Sequence, residues 1–256
     1  MGLPGVKLGI SHIVWGYDLT QTDRMIRFLD EAAEIGYQGI VSFDRSITFW
    51  YNRPQEFKAL LDARNLVLAG VILRPTLDFA GTGRLAEFMA AVGGEVMVMS
   101  GRCGTEADWK IVLPILERHG EIAAERGIRA VYHHHTDWIA ETMEQTERLL
   151  ADTDRAKIGA MLDCGHATKD FVGHNAEEFL DRNHAIIEYV EFKDFKPETG
   201  LSTPVGEGLC NFPAVVAGLK RHRYNGWVVV EQNPPSDDPK GNAAKSYQYI
   251  RETLGV

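Results

Sequence analysis

The amino-acid sequence predicts a single (β/α)8 TIM barrel covering residues 1–256. Three observations lead there. Short apolar runs alternate with longer amphipathic segments eight times along the chain. The length of 256 residues matches the roughly 250 typical of such a barrel. The third run, LVLAGVIL (66–73), is apolar almost without a break, as expected for a strand buried on both faces.

The elements follow in order. The first strand is read in VKLGISHIVW (6–15). The helix after it is TDRMIRFLDEAAEIG (22–36), where Met25, Phe28, Leu29 and Ala32 or Ala33 share a face and Gly36 is the stop. YQGIVSF (37–43) is the second strand, and PQEFKALLDARN (54–65) is a helix with Pro54 in its first turn. Beyond the third strand, 82–93 is helical and EVMVMSG (95–101) is a strand. Residues 105–127 form one long helix or a broken pair, because Pro114 lies inside them. IRAVYHHH (128–135) and the helix 138–153 make the fifth unit; AKIGAMLDCGH (156–166) and the helix 175–183 make the sixth. AIIEYVEFKD (185–194) with the helix 212–223, and GWVVVEQ (226–232) with the helix 242–255, complete the set. No polar linker or composition shift marks a second domain. An open doubly wound sheet is the rival, but no GxGxxG follows the first strand and no P-loop is present. The GTG in AGTGR (80–84) reads as a turn rather than a phosphate loop.

Composition narrows the function. Hydrophobic residues at 45% supply a large core and exclude a wholly disordered chain. Lys and Arg number 27 against 36 Asp and Glu, a net charge of −9, which argues against a nucleic-acid partner. The three cysteines, Cys103, Cys164 and Cys210, form no CxxC pair, and their odd number suits a reducing compartment. The N-terminal stretch reads as a strand rather than a signal peptide, and no apolar run reaches membrane-spanning length, so the expected location is the cytoplasm with no membrane partner. Assembly into homo-oligomers is left open. Substrate-shaping groups are expected from the first three loops, with Trp15 and Arg45 or Trp50 as candidates, and the aromatic, charged stretch 42–54 is read as a lid or a subunit contact.

In a barrel the strand C-termini share one rim, where chemistry gathers. Four acidic residues fall at or just past successive late strands: Glu141, Asp163, Glu191 and Glu231. Converging carboxylates repel unless a cation or protons neutralise them, and a hard divalent ion such as Mn²⁺ or Mg²⁺ suits an all-oxygen set. For the seventh strand, alternation puts Tyr189, Glu191 and Lys193 on one face, with Glu188 and Asp194 as competitors. Alternation also sends His133 and His135 one way and His134 the other. His166, three residues after Asp163, could shuttle protons near neutral pH. His12 and Trp15 follow the first strand, where an indole could form a flat wall for a sugar ring or simply pack in the rim. Lys193 is read as an oxyanion binder or as a neutraliser of the carboxylates. The loop 199–213 is placed at the pocket mouth, and Asp237, Asp238 and Lys240 in a solvated loop.

Together YHHH…ET, LDCGHA, EFKDF, PVGEGLCNFPAVVAGL and GWVVVEQ resemble the sugar phosphate isomerase/epimerase superfamily of xylose isomerase-like barrels, and within it the inosose dehydratase-like group. The resemblance is dense from residue 128 onward and thin before about residue 90. It implies an enzyme that uses one divalent ion, Mn²⁺ with Mg²⁺ or Co²⁺ as alternatives, on a small polyhydroxy carbonyl substrate. The family's metal positions map to Glu141, Asp163, Glu191 and Glu231. Relatives read HxKD where this chain reads EFKD, so Glu191 stands where an imidazole is usual. The histidines matching His133, His135 and His166 sit near substrate in relatives.

The chemistry that follows is proton removal next to a carbonyl by Glu141, Glu231 or a histidine, giving an enediolate that the ion and Lys193 stabilise. Loss of a hydroxyl protonated by His166 or His135 makes the enzyme a lyase, a dehydratase of a keto-sugar or keto-polyol. Reprotonation instead makes it an isomerase or epimerase. A phosphate-ester nuclease on the same barrel is disfavoured by the net charge. A non-catalytic barrel that binds a sugar or a partner protein is the reading from a different class.

Overall fold

The structure is a computed structural model that describes residues 3, 5–101, 106–234 and 236–255; Cys103 lies outside them. Eight parallel strands close into a barrel: β1 (Lys7–Ser11), β2 (Gly39–Phe43), β3 (Val67–Leu73), β4 (Val96–Met99), β5 (Arg129–Tyr132), β6 (Gly159–Asp163), β7 (Ile187–Phe192) and, after a small hairpin, β10 (Trp227–Val230). Closure is made by β1, which pairs with β2 on one side and β10 on the other. The helices α1 (Thr22–Ile35), α2 (Asp44–Ile47), α3 (Pro54–Asp62), α4 (Phe79–Val92), α5 (Glu106–Ala124), α6 (Met143–Asp152), α7 (Cys164–Asp170), α8 (Ala176–Asn183), α9 (Phe212–Arg221) and α10 (Pro239–Gln248) surround or cap it. Among the described residues no helix is long and apolar enough to cross a membrane.

Several boundaries differ from the sequence expectation for physical reasons. The first strand ends at Ser11, and His12–Trp15 form a 3-10 turn closed by Gly16 at φ 127°. Its apolar character reflects burial of Ile13 and Val14 under the rim, not strand pairing. Pro114 lies within one helix, α5, rather than between two. The AGTGR stretch opens α4, where the Asp78 carboxylate accepts the Gly81 N–H at 2.8 Å. That helix terminus therefore carries its own anion, and a Cβ at Gly81 would collide with it. In the stretch 42–54, Trp50 is buried against Phe57, so it belongs to the core.

The loop after β7 is built by Asp194, a residue alternation had left as a competitor for Glu191. Its two oxygens accept the backbone N–H groups of Phe195, Gly206, Gly208 and Cys210 at 2.8–3.1 Å. This network folds the antiparallel pair β8 (Asp194–Lys196) and β9 (Gly200–Thr203) against the rim. Asp238 caps α10 through Gly241, and Lys240 pairs with Glu34 at 2.7 Å.

The barrel interior is packed. Val41, Ala69, Val96, Val98, Val131, Met161, Tyr189, Trp227 and Val229 form a buried column distinct from the sheet–helix layer. Trp227 lies at the floor, where a Cβ on Gly39 would come within 2.5 Å of its ring. The glycine thus makes room for an indole whose burial is worth on the order of 4 kcal/mol before entropy. Glu95 accepts the Trp227 Nε1–H at 2.9 Å, and Lys7 pairs with Glu95 at 2.7 Å while lying over the indole. The wider rim end is left for polar groups.

Candidate active site

The ends of β5, β6, β7 and β10 deliver a buried polar layer directly above the apolar column. Asp163 ends β6 and caps α7: its Oδ1 accepts the His166 N–H at 2.9 Å. Its Oδ2 lies 3.2 Å from His133 Nε2 and 3.9 Å from His166 Nε2. Donor atoms of His133, Asp163 and His166 fall within 4.8 Å of one another, and all three residues are buried. The sequence offers both histidines as substrate neighbours or as metal ligands; the structure brings them to ligand spacing with Asp163, because α7 starts at once after β6 and turns His166 back under the rim. Neither α7 nor its cap had been expected, since CGHATKD shows no helical apolar period.

On β7, Glu191 points inward at the register level of Asp163, whereas Glu188 pairs outside the barrel with Arg129. Lys193 is buried, donating to Glu231 Oε1 at 2.7 Å and lying 3.8 Å from Glu191 Oε1. Burial alone would discharge Lys193, but Glu231, Asp163 and Glu191 around it keep it an ammonium. Burial likewise opposes the charge on Glu231, and Lys193 outweighs it, holding Glu231 below the usual carboxylate range. For Asp163 burial is again opposed and outweighed, by His166, His133 and Lys193, so its carboxyl lies well below that range. Glu191 is the exception: burial, reinforced by Glu231 and Asp163, pushes it well above its ordinary value.

The three histidines after β5 divide as alternation requires. His133 and His135 line the cavity, while His134 faces Phe171 and accepts the Asp163 N–H at Nε2, 3.1 Å away. Burial pushes His134 down to about 3, which keeps it an acceptor. His135 stacks on Trp138 at 4.4 Å and lies 4.1 Å from the His166 ring. Burial, with His166 and His133 beside it, pushes His135 down to about 2. His166 is lowered too, chiefly by burial.

The remaining candidates lie elsewhere. Glu141 sits on the loop before α6, half-buried, with its N–H donating to Gln145 Oε1 at 3.0 Å. The α6 capping box at Thr142 and Gln145 fixes that approach, and the Glu141 carboxylate is outside the group around Asp163. His12 is buried with Nδ1 2.9 Å from Ser42 Oγ, and burial pushes it down to about 4. Trp15 donates to Glu31 at 2.5 Å and packs on Phe28, away from the cavity, so its indole serves the rim and not a sugar face.

The cavity above this layer has a volume of about 330 Å³, at the small end for a ligand site. His133, His135, Lys193 and Glu231 line one part of it. Trp138, Arg74, Asn233 and Tyr17 also line it and had not been singled out, since a lone aromatic or arginine on a loop carries no periodic or motif signal. Buried side-chain atoms without a hydrogen-bond partner include His166 Nε2, Glu191 Oε1 and Glu231 Oε2. Such unspent lone pairs are costly in a protein interior unless a cation or substrate meets them. Two imidazoles and a carboxylate, with two further carboxylates adjacent, suit a first-row divalent ion, so the residues fit a metal.

Comparisons with known proteins place the chain in a family. The family model for the xylose isomerase-like TIM barrel matches residues 29–253. An inosose dehydratase of Geobacillus thermodenitrificans is 29% identical over 98% of each chain, and one of Bacillus licheniformis is 27% identical over 100% of this chain and 99% of its own. Among solved structures, a D-psicose 3-epimerase of Clostridium cellulolyticum superposes with a TM-score of 0.82 at 13% identity, covering 97% of this chain and 99% of its own. A sugar phosphate isomerase/epimerase of Parabacteroides distasonis gives 0.78 at 22%, covering 96% and 93%. At those identities the structural likeness speaks for the fold.

Proposed function

Because the chain belongs to the xylose isomerase-like TIM-barrel family, we propose that it is a divalent-metal-dependent lyase that removes water from a keto-sugar or keto-polyol of the inosose type. The observation that carries this reading is the buried group His133, Asp163 and His166, flanked by unpartnered oxygens of Glu191 and Glu231. His133, Asp163, His166 and Glu191 would hold the ion, with Mn²⁺ the proposed native metal, and Glu231 is kept for proton transfer. When bound, it would polarise the substrate carbonyl and acidify the adjacent C–H. Glu141 is added to the ligand set on sequence grounds, and Glu141→Gln tests that addition.

The chain's own groups do the rest. Glu231 is held ionised by Lys193 on one oxygen, leaving Oε2 free as the base for the C–H proton. Lys193, an ammonium at the cavity wall, donates to the oxygen on which negative charge develops. His135 donates Nδ1–H to the Thr136 carbonyl at 2.8 Å, so its Nε2 accepts from a substrate hydroxyl. Being held neutral, His135 is a poor acid, and the hydroxyl that departs receives its proton from Glu231, which has just acquired one. The C–H proton thus leaves with the hydroxide as water, and the C–H and C–O bonds broken are balanced by the new C=C bond.

The test is metal counting followed by mass analysis of product. Protein stripped with chelator and reloaded with Mn²⁺, Co²⁺, Mg²⁺ or Zn²⁺ should retain about one ion per chain, and Asp163→Asn should abolish that retention and the activity. Incubation with a keto-inositol should lower substrate mass by one water. An unchanged mass with altered configuration would make the enzyme an epimerase or isomerase instead. Absence of both metal retention and turnover would overturn the proposal in favour of a binding barrel.

A further inference from the structure

The cavity has two chemically different walls. In the barrel order, β2 lies opposite β6 and β3 lies opposite β7. The β6 and β7 side carries Asp163, Glu191 and Lys193, where the proposed proton transfer takes place. The β2 and β3 side carries Arg45, just after β2, and Arg74, just after β3, and both line the cavity. Arg45 is held in place: one guanidinium nitrogen donates to the Tyr17 carbonyl at 3.2 Å, and the group lies over the Phe43 ring at 4.8 Å. Arg74 makes no hydrogen bond and no ion pair within 4 Å among the described residues, its charge reaching only as far as Asp44. Asp44 is the acidic group on this wall, and it spends Oδ1 on the Arg45 N–H at 2.7 Å. Two guanidinium charges against one carboxylate leave this wall with net positive charge in a chain whose total is −9.

An uncharged polyol has no need of a second guanidinium. A fork of N–H donors with nothing to bind matches the paired oxygens of a carboxylate or phosphate. The geometry points to a substrate that is a polyhydroxy ketone bearing an anionic group, a carboxylate or a phosphate monoester, held by Arg74 and Arg45 while its carbonyl end faces Lys193 and Glu231. This assignment rests on the dehydratase reading for the identity of the reacting end, and it adds that the substrate is acidic. The anion fixes which way round the molecule lies, and so which C–H meets Glu231.

Binding without turnover tests it. The metal-loaded protein is titrated with D-glucitol, D-gluconate and D-glucitol 6-phosphate in a calorimeter. At least one of the two anions should bind tenfold or more tightly than D-glucitol, and which one does so identifies the anion. In Arg74→Gln the preference should vanish, with metal content and melting temperature unchanged, because the side chain is exposed and unpaired. Raising salt should erode the preference in the wild type. Equal binding of D-glucitol, or an anion preference that survives Arg74→Gln because the anion sits on the metal instead, would overturn the assignment. Metal retention and water loss from a neutral keto-inositol are read separately on the wild type, so failure of the dehydratase proposal and failure of this one are distinguishable.

Discussion

His166 Nδ1 lies 3.2 Å from Asp170 Oδ2, one helical turn along α7, and also 3.3 Å from the Thr136 backbone N and 3.0 Å from its hydroxyl, while its Nε2 faces Asp163. Asp170 is itself held: Thr136 Oγ1 donates to Oδ2 at 2.5 Å and Lys169 Nζ to Oδ1 at 3.0 Å. An ionised Asp170 favours the proton on Nδ1 and leaves the Nε2 lone pair free for a cation.

Asp170→Asn should therefore weaken metal binding by roughly 10–100-fold, the usual cost of losing a carboxylate behind a ligating histidine. Chelator competition on the purified variant measures this directly. Affinity within twofold of wild type would show that His166 does not ligate.

Glu191→His puts an imidazole in place of the carboxylate at the end of β7. It should move metal preference from Mn²⁺ and Mg²⁺ toward Co²⁺ and Zn²⁺, since imidazole suits the later ions. Competitive loading with equimolar ions, read by elemental analysis, is the check. An unaltered ranking would place Glu191 outside the ligand set.

Acid should destabilise the fold partly through His12. Burial sets its folded value at about 4 against an unfolded value of 6.5. Above pH 6.5 the ring is neutral in both states and the contribution is intact. As pH falls from 6.5 toward 4, only the unfolded chain takes up the proton, and the loss accumulates to about 3 kcal/mol. Below pH 4 both states are protonated and the loss levels off. Urea unfolding of wild type and His12→Gln across this window should show a shallower decline in the variant.

Gly39→Ala drives a methyl into the Trp227 ring. It should cost about 1–3 kcal/mol by overpacking, with Trp227→Leu in the same chain recovering part of the loss. Thermal melts of the two single variants and the double variant give the coupling. Additive effects would mean that the two residues are not in contact.

What was legible in the sequence was what periodicity writes. The eight strands appear as apolar runs because both faces are buried, and the inward set Tyr189, Glu191 and Lys193 follows from a two-residue repeat. The division of His133 and His135 from His134 follows from the same rule. What was hidden depends on turns. Seven residues of α7 carry no apolar stripe, yet that helix swings His166 next to Asp163. Glu141 lies between β5 and α6, on the rim as its distance from the strand implies, and the capping box that positions it next to α6 leaves no periodic signal. Trp138 and Arg74 reach the cavity from loops, and loop residues reveal their neighbours only once the barrel is closed.

The indole at the base of the barrel has a kinetic meaning. With Trp227, Lys7 and Glu95 stopping the lower end and a solid column of side chains above them, the vessel has one door. Any small molecule that reaches the cavity crosses the rim, past Arg45, Arg74 and Trp138. Changes at those rim residues should act on exchange, and changes at the base on endurance of the fold.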